Sequence, residues 1–391
     1  MTAPSSAFDF GIGCPLWTRR HALAGLGAWA ALAGKAHAQD GDTIRLGQSV
    51  AVSGPLGELG QALVSGANAC FAAVNAKGGV NGKTIELITR DDGYDVQRAT
   101  DNTAALLEDR SIFGLFNSFG TPMIEAVLPK VIAAGIPFFA PYSGAMSIRS
   151  RHARNVIHIR ASYADEADQL VQHLATVGIR RIAIVHQGNS FGKEFLTAAQ
   201  QALARHKLEA VVTVTVENSG ADAAAAASKV AGADPEAALL GLAGKPTTEF
   251  VRSIRQERKG LQLYALSVMG TATTVKTLGE NATGMTVAQV VPLPSNSSYA
   301  IVRECQQAWA TAAPGKELSH TALEGYINAK AFVELLRKTG KNPTRSAFLD
   351  AVWSTKTLDL GGFVLHFNED TPNASRFVEL TMVSRQGRFI R

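Results

Sequence analysis

The chain has 391 residues, of which 46% are hydrophobic and 18% are charged, and its formal net charge is +5. At about 100 to 200 residues per domain, this length predicts two or three globular domains, each with a core of its own. A chain this apolar with so little net charge is not disordered, and 3 cysteines are too few for a disulfide scaffold.

The first 38 residues have the pattern of a cleaved export signal. Arg19 and Arg20 precede an apolar run over 22–34, which is shorter than the about 20 apolar residues of a membrane span. The run leads to a small-x-small sequence at 36–38, which suits a signal peptidase. The paired arginines favour the twin-arginine route over the general secretory route. We therefore predict a periplasmic protein without a membrane span.

Cleavage of this segment leaves a nearly neutral chain. It removes three of the 38 basic residues and one of the 33 acidic residues. A nearly balanced charge gives no electrostatic argument for nucleic acid, which attracts clustered lysine and arginine. We therefore predict no nucleic-acid partner.

From residue 43 the pattern alternates between short β-branched runs and amphipathic stretches of helical length. Its first part predicts strands over 43–52, 84–91, 112–116 and 137–140, and helices over 61–76, 96–108 and 121–134. The pattern then restarts, with predicted strands over 156–160, 181–186, 210–216, 237–242, 261–265 and 285–290, and helices over 164–177, 192–206, 221–231 and 247–258. The remainder predicts helices over 299–312, 323–339 and 345–352, and closing strands over 363–367 and 377–384.

Alternating strands and helices predict right-handed βαβ units in parallel sheets that are covered by helices. About ten strands are too many for one compact sheet of ordinary size. The sequence therefore predicts an α/β fold with two doubly wound parallel-sheet lobes. Cys70 and Cys305 both fall in apolar helical patterns, so they either pair in an oxidising compartment or remain two buried free thiols.

The motifs that would carry catalysis are weak. Residues 188–192 match the G-x-S-x-G form of a nucleophile elbow, but the predicted strand ends at His186, four residues before Ser190. A helix-capping loop is the favoured interpretation of this segment, and a hydrolase that uses Ser190 is the alternative. Residues 244–247 depart from a phosphate loop at two positions, and residues 91–95 lack the remaining ligands of a calcium loop. We therefore predict no catalytic set, no cofactor and no metal site.

Polar and aromatic residues follow the predicted strands of both lobes. Ligands of doubly wound sheets bind at the carboxyl ends of the strands, because the loops diverge there and helix N-termini offer free N–H groups. A cleft that is lined from two lobes and lacks a catalytic set predicts a hinged binding protein. The loops concerned are Ser53–Pro55, Ser118–Thr121, Pro141–Gly144, Gln187–Phe191, Ala243–Lys245 and Ser267–Met269.

These loops, in this order, resemble those of the type 1 periplasmic solute-binding proteins of ABC importers, in the branch of the leucine/isoleucine/valine-binding proteins. The resemblance extends from Ile44 to Phe389. Its marks are Ser53-Gly54-Pro55, the string Asn75-Ala76-Lys77-Gly78-Gly79-Val80-Asn81-Gly82, Asp91-Asp92, Ala134-Gly135-Ile136-Pro137 and Ser190-Phe191-Gly192.

The resemblance implies two lobes joined by a three-crossing hinge, with 43–160 and 289–360 in lobe one and 161–288 and 361–391 in lobe two. It implies a binding protein rather than an enzyme: a monomer that captures an amino-acid-like or organic-acid solute by hinge closure. Its partners would be an ABC permease and the ATPase of that permease. The alternative is a ligand sensor of the same fold that acts on a receptor or regulator.

The resemblance also implies which residues hold the ligand. Hydroxyl and N–H groups of the first lobe would hold a carboxylate, and a ring of the second lobe, Phe191, would cover the ligand. The position of the family's acidic residue, which pairs with an ammonium group, matches Ser267. Because a buried ammonium without an anionic partner is costly, this departure favours an organic acid over a zwitterionic amino acid. The first-lobe positions are Ser118, Thr121, Tyr142, Ser143 and Gly144.

Further residues complete the predicted site. Lys245 and Tyr163 are added as ligand-binding residues, although Tyr163 is equally suited to packing at the hinge. Arg149 is suited either to ligand contact or to an ion pair, and Glu324 is expected to have a structural role.

Overall fold

The computed structural model describes residues 43–149, 153–269, 272–368 and 371–391. The predicted export signal at 1–38 lies outside the described residues. The strands of the described residues form a five-stranded sheet, a seven-stranded sheet and a two-stranded hairpin.

The first sheet has the strand order β2-β1-β3-β4-β5. The pairings of β1 with β3, β3 with β4, and β4 with β5 are parallel, as expected when helices connect successive strands. Its strands are β1 (Thr43–Val50), β2 (Thr84–Asp91), β3 (Ile112–Phe116), β4 (Phe138–Phe139) and β5 (Val156–Ile157). A 3-10 turn at Gly54–Leu56 precedes the first helix, and the helices are α1 (Gly57–Asn75), α2 (Val96–Glu108) and α3 (Thr121–Ala134).

The second sheet has the order β14-β13-β10-β9-β8-β6-β7. The five strands from β10 to β7 pair in parallel, and β13 and β14 extend the sheet antiparallel. Its strands are β6 (Ile182–Gln187), β7 (Ala210–Val216), β8 (Ala237–Gly241), β9 (Gln262–Ala265), β10 (Thr286–Gln289), β13 (Glu379–Val383) and β14 (Phe389–Ile390). Its helices are α4 (Tyr163–Thr176), α5 (Ser190–Arg205), α6 (Ala223–Gly232), α7 (Lys245–Glu257), α8 (Ala272–Leu278) and a 3-10 turn at Gly279–Ala282.

After β10 the chain returns to the first sheet before it completes the second. The helices α9 (Ala300–Ala312) and α10 (His320–Arg337) pack against α1, and α11 (Arg345–Ser354) packs against α10. The hairpin of β11 (Thr357–Asp359) and β12 (Val364–His366) shares a hydrophobic core with these helices. The chain then enters β13. It therefore passes between the two sheets after β5, after β10 and after β12.

The close packing of α1 against α10 depends on two glycines. A Cβ atom at Gly66 would lie 1.8 Å from the carbonyl oxygen of Ala322, and one at Gly325 would lie 2.1 Å from that of Leu63. Since no side chain fits in these positions, the backbones approach each other directly. Most of α10 is consequently buried, and the helix supplies a large part of the core beside the first sheet.

The α/β fold with parallel-sheet lobes is confirmed. The helix over 272–278 and the short strands β11 and β14 are absent from the predicted elements. The predicted closing strand over 363–367 pairs with β11 in the hairpin and not with the second sheet. Both Cys70 and Cys305 are buried free thiols. The residue limits given above for the two lobes remain a prediction.

Candidate functional site

Four helices begin around one small cavity, because the loops after β3, β5, β6 and β8 meet there. The helices α3, α4, α5 and α7 follow Gly120, Ser162, Asn189 and Gly244. The two glycines have φ values of 97° and 66°, which favour glycine, and the Ser162 and Asn189 side chains cap their helices. The N-terminus of a helix carries a partial positive charge, so this arrangement favours an anion.

The cavity has a volume of about 20 Å³, and loops that follow strands of both sheets line it. This volume holds about one water molecule. Five of the lining side chains are aromatic, and no charged side chain is among the described residues that line the cavity. The lining residues are Leu56, Tyr94, Phe119, Gly120, Thr121, Tyr142, Tyr163, Phe191, Ala243 and Val268.

The rings are in contact with one another. Phe119 lies between Tyr94 and Tyr142, with ring centroids 5.8 Å and 5.3 Å away. Tyr163 meets Phe191 edge to face at 5.3 Å. Burial raises the pKa of the Tyr94 and Tyr142 hydroxyls, so both stay neutral at ordinary pH. The cavity therefore offers apolar ring surface together with neutral hydroxyl groups.

Seven of the nine predicted ligand-binding residues lie at this cavity or directly behind it. Thr121, Tyr142, Tyr163 and Phe191 line it. The Thr121 and Ser143 hydroxyl oxygens are 2.8 Å apart, so these side chains bond to each other. The remaining two of the seven are Ser118 and Gly144.

Ser118 and Gly144 shape the cavity through the backbone. The carbonyl oxygen of Ser118 accepts from the N–H of Tyr142 at 2.8 Å, and that of Gly144 accepts from the N–H of Tyr163 at 2.8 Å. A Cβ atom at Gly144 would lie 2.4 Å from the ring of Tyr163. Only a glycine lets the loop after β4 contact the start of α4 in this way.

The structure does not place Lys245 and Ser267 among the residues that line the cavity. Lys245 is exposed at the first position of α7. Ser267 follows β9 and is buried, but its hydroxyl bonds to Arg160 and Glu166. Their assignment as ligand-binding residues remains a prediction.

Three buried charged residues behind the cavity were absent from the predicted site. Arg160 Nη2 lies 3.5 Å from Glu166 Oε1, and Arg160 Nε lies 3.6 Å from Glu324 Oε1. The guanidinium carbon of Arg160 is 4.5 Å from the centroid of the Tyr142 ring. Of these three residues, only Glu324 stood out in the sequence, because it is acidic and lies within an apolar helical pattern. It was expected to have a structural role. The partners of that residue could not be inferred.

Arg149 contacts backbone and does not line the cavity. Its side chain is buried, and it donates to the carbonyl oxygens of Ala145 at 2.8 Å and Arg160 at 3.3 Å. Burial lowers the pKa of Arg149 to about 10, and the side chain remains charged at neutral pH.

In the part of the chain that the structure describes, the surroundings of Ser190 are not those of a serine nucleophile. Its hydroxyl oxygen is buried and makes no hydrogen bond. The nearby His186 has Nε2 3.1 Å from the Thr215 hydroxyl and Nδ1 3.2 Å from the carbonyl oxygen of Gln187. A serine nucleophile needs a base within hydrogen-bonding reach, so this geometry gives no support to the hydrolase alternative.

Ser267 is among the residues that line a second, wider cavity of about 470 Å³. Gln289, His320 and Phe389 are among the residues that line it, and the His320 ring meets Phe389 edge to face at 5.2 Å.

A family model described as periplasmic binding protein matches residues 43–387. The chain belongs to the periplasmic binding protein family. Within this family, the chain is of type 1 and groups with the leucine/isoleucine/valine-binding proteins, as predicted from the sequence.

This periplasmic binding protein is 30% identical over 182 residues to Leu/Ile/Val-binding protein homolog 7 of Brucella melitensis. The aligned region covers 44% of this chain and 45% of that relative. It is 26% identical over 156 residues to the Leu/Ile/Val-binding protein of Escherichia coli, and this alignment covers 39% of this chain and 42% of that protein. The matched region thus spans less than half the length of these relatives.

Solved structures extend the similarity to nearly the whole fold. A substrate-binding periplasmic protein from Ralstonia solanacearum is 31% identical with a TM-score of 0.82, covering 89% of this chain and 99% of that one. A possible leucine/isoleucine/valine-binding protein from Rhodopirellula baltica is 27% identical with a TM-score of 0.84, and the match covers 91% of this chain and 98% of that one.

The family and fold are those of substrate-binding proteins, and such proteins are not enzymes. Membership of the family also suggests a periplasmic location. In the part of the chain that the structure describes, no helix combines the length and apolar character needed to cross a membrane. Within the same residues, no group of three or more His, Cys, Asp or Glu side chains is arranged to hold a metal ion.

Proposed function

We propose that this periplasmic binding protein is the substrate-binding component of an ABC importer and captures a small organic acid in the aromatic cavity by closure of two lobes. One observation carries the proposal. Four helix N-termini and five rings surround a cavity that no charged side chain of the described residues lines. Such a site suits a carboxylate group on an apolar or aromatic body.

The positions of the nearest carboxylates argue against an ammonium group on the ligand. Glu166 and Glu324 lie behind the cavity and pair with Arg160, so neither is available to a ligand. An ammonium group in the cavity would then be buried without an anion, which is costly. An amino-acid-like ligand is therefore less favoured than an organic acid, although relatives of this chain are named for leucine, isoleucine and valine.

A ligand must widen the cavity, since 20 Å³ is far below the roughly 300 Å³ of a typical small-molecule pocket. The fold accommodates a ligand of this class elsewhere. An ABC transporter solute-binding protein from R. palustris, crystallised with benzoate, has a TM-score of 0.80 to this chain at 16% identity.

The test is a thermal-shift screen of the purified protein with benzoate, 4-hydroxybenzoate and hexanoate against leucine and valine. We expect the carboxylates without an ammonium group to raise the melting temperature, because a ligand at 100 times its Kd stabilises the folded state by about 2.7 kcal/mol. A response to leucine or valine, with none to the other carboxylates, would contradict the proposal.

Two variants locate the site. Phe191→Ala removes a ring from the aromatic cavity, and we expect at least a tenfold loss of affinity for the best carboxylate. His320→Ala makes a similar truncation in the wider cavity and serves as the control, with no change expected. The reverse result would place the ligand in the wider cavity.

The importer role, the export signal and the monomeric state belong to the same proposal. Ligand-dependent stimulation of a membrane-reconstituted permease and ATPase pair would support transport, whereas binding to a receptor with no such stimulation would support the sensor alternative. N-terminal sequencing of the exported protein would test cleavage after residue 38. Light scattering with and without ligand would test the monomer.

A further inference from the structure

A compact cluster of buried charges lies directly behind the aromatic cavity. Arg160, Glu166 and Glu324 are 3%, 0% and 4% exposed. Ser267 joins them, because its N–H donates to Glu166 Oε2 at 2.8 Å and its hydroxyl donates to Glu166 Oε1 at 3.1 Å. Charged side chains this deeply buried are unusual, and they persist where partners compensate for lost hydration.

The members of the cluster come from elements of both sheets. Arg160 lies in the segment that leaves β5 of the first sheet for α4. Glu324 belongs to α10, which packs against α1 beside the first sheet. Glu166 is in α4, and Ser267 follows β9, so both belong to the second sheet. Any movement that separates the two sheets must therefore stretch or break contacts of Arg160.

The cluster also touches the wall of the cavity. The guanidinium group of Arg160 lies over the ring of Tyr142, 4.5 Å from its centroid. Tyr142 lines the cavity, and Arg160 is not among the lining residues. Arg160 thus contacts a cavity residue on one side and Ser267 of the second sheet on the other.

We infer that Arg160 is a positioning residue for ligand capture: its pair with Glu324 anchors it beside the first sheet, and its contacts with Glu166 and Ser267 hold the loops of the two sheets together in the ligand-free protein. The cluster fixes the Tyr142 ring against the segment after β9 without touching the ligand. It thereby sets the balance between open and closed molecules, and ligand affinity follows from that balance. The inference rests on the proposed function only for its link to affinity, because the contacts exist without a ligand.

The decisive variant is Glu324→Gln, which keeps the shape of the side chain and removes one of the two negative charges that face Arg160. Arg160 then loses its charged anchor beside the first sheet, so its contacts with Glu166 and Ser267 no longer tie the two sheets together. We expect at least a tenfold rise in the ratio of open to closed molecules. Glu334→Gln is the matched control on the same helix, because Glu334 pairs at the surface with Lys330 and Arg337.

The measurement is a distance distribution between spin labels at Val96→Cys and Val177→Cys, in a Cys14→Ser background and without ligand. Both labelled positions are exposed, and they lie at the start of α2 and just after α4. A shift to longer distances in E324Q, with none in E334Q, supports the inference. Equal distributions in E324Q and wild type, or a wild type without a closed population, would overturn it.

The pH dependence gives a second readout that a merely structural role would not produce. Burial raises the pKa of Glu166 from 4.5 to about 7, against the opposing effects of Arg160 and the hydrogen bonds from Ser267. Glu324 raises it further, and Arg149 is the other charged group within electrostatic reach. The closed form therefore binds a proton more tightly than a form in which Glu166 is hydrated.

Burial of the ionised Glu166 carboxylate costs more than Arg160 and Ser267 return, so the closed population is largest at acid pH, where Glu166 is neutral, and falls as the pH rises through 7. Glu166→Gln mimics the protonated carboxyl and should remove this dependence; it also provides the test if E324Q does not fold. A flat wild-type profile between pH 5 and 8, or an unchanged slope in E166Q, would count against the inference. Because no ligand is added, these results stand or fall independently of the solute screen.

Discussion

Gly144→Ala is the smallest substitution that should separate the two sets of loops. Its new Cβ would lie 2.4, 2.6 and 2.8 Å from three ring carbons of Tyr163. Ordinary contact begins near 3.4 Å, so the ring or the loop must move by about 1 Å. Tyr163 is only 3% exposed, and it packs against Phe191 on its other side, so its ring has no free space to enter.

The cost of this overlap can be estimated from overpacked cores, where one extra methyl group destabilises the fold by about 1–3 kcal/mol. If the strain is relieved by opening, the same energy lowers ligand affinity by about 5- to 150-fold, at about 1.4 kcal/mol per tenfold. If it is not relieved, it lowers the melting temperature, by about 2–4 °C per kcal/mol for a domain of some 200 residues.

The assay combines differential scanning fluorimetry with a titration of the best carboxylate from the screen. Gly232→Ala is the matched control, because a Cβ atom at Gly232 meets nothing within 4 Å. We expect the control to equal or slightly exceed wild-type stability, since alanine restricts the unfolded chain. A G144A protein that matches G232A in both melting temperature and affinity would refute the steric argument.

Three further predictions follow from the surrounding structure. Cys70 and Cys305 should resist a thiol reagent in the native protein and react after denaturation. The reason is that burial raises the pKa of both thiols, that of Cys70 to about 12. If neither thiol reacted in denaturant, the two cysteines would form a disulfide and the prediction would be wrong. Asp91→Asn should destabilise by about 1 kcal/mol at pH 7, because Asp91 accepts backbone N–H bonds at 2.9 to 3.2 Å. The pKa of Asp91 is lowered from 3.8 to about 2, so the stability difference between wild type and D91N should vanish as the pH falls from 3.8 to 2. A stability difference that persists at pH 2 would contradict this prediction. Gly66→Ala should abolish expression of folded protein, because its Cβ would lie 1.8 Å from the Ala322 carbonyl oxygen; normal circular dichroism and stability would refute this.

The sequence was sufficient to predict most of the elements. The limits of β2, α2, β3 and α3 agree with those predicted, and Asp95 and Gly120 directly precede the two helices. The helix α8 and the strands β11 and β14 were missed because two to seven residues are too few to show a period. The family also followed from the sequence, since its loop motifs are local.

The sequence also located much of the candidate site, because ligands of parallel sheets bind where the strands end. Thr121, Tyr142, Tyr163 and Phe191 were brought together for this reason, although they follow different strands. What remained undecided was the direction of each side chain. Ser267 and Lys245 occupy the expected loops, yet one bonds to buried charges and the other is exposed to solvent.

Only the tertiary structure decided which charges meet. Arg160 and Glu324 are separated by more than 160 residues in the sequence, and no local period relates them. Helical and strand periods indicate which side of an element is buried, but not which element lies opposite. The sequence by itself therefore determined most of the elements, the family and the edge of the sheets at which the predicted ligand-binding residues lie. The packing of α10 beside the segment after β5 determined the buried charge cluster, because only that packing places Arg160 between acidic residues of both halves.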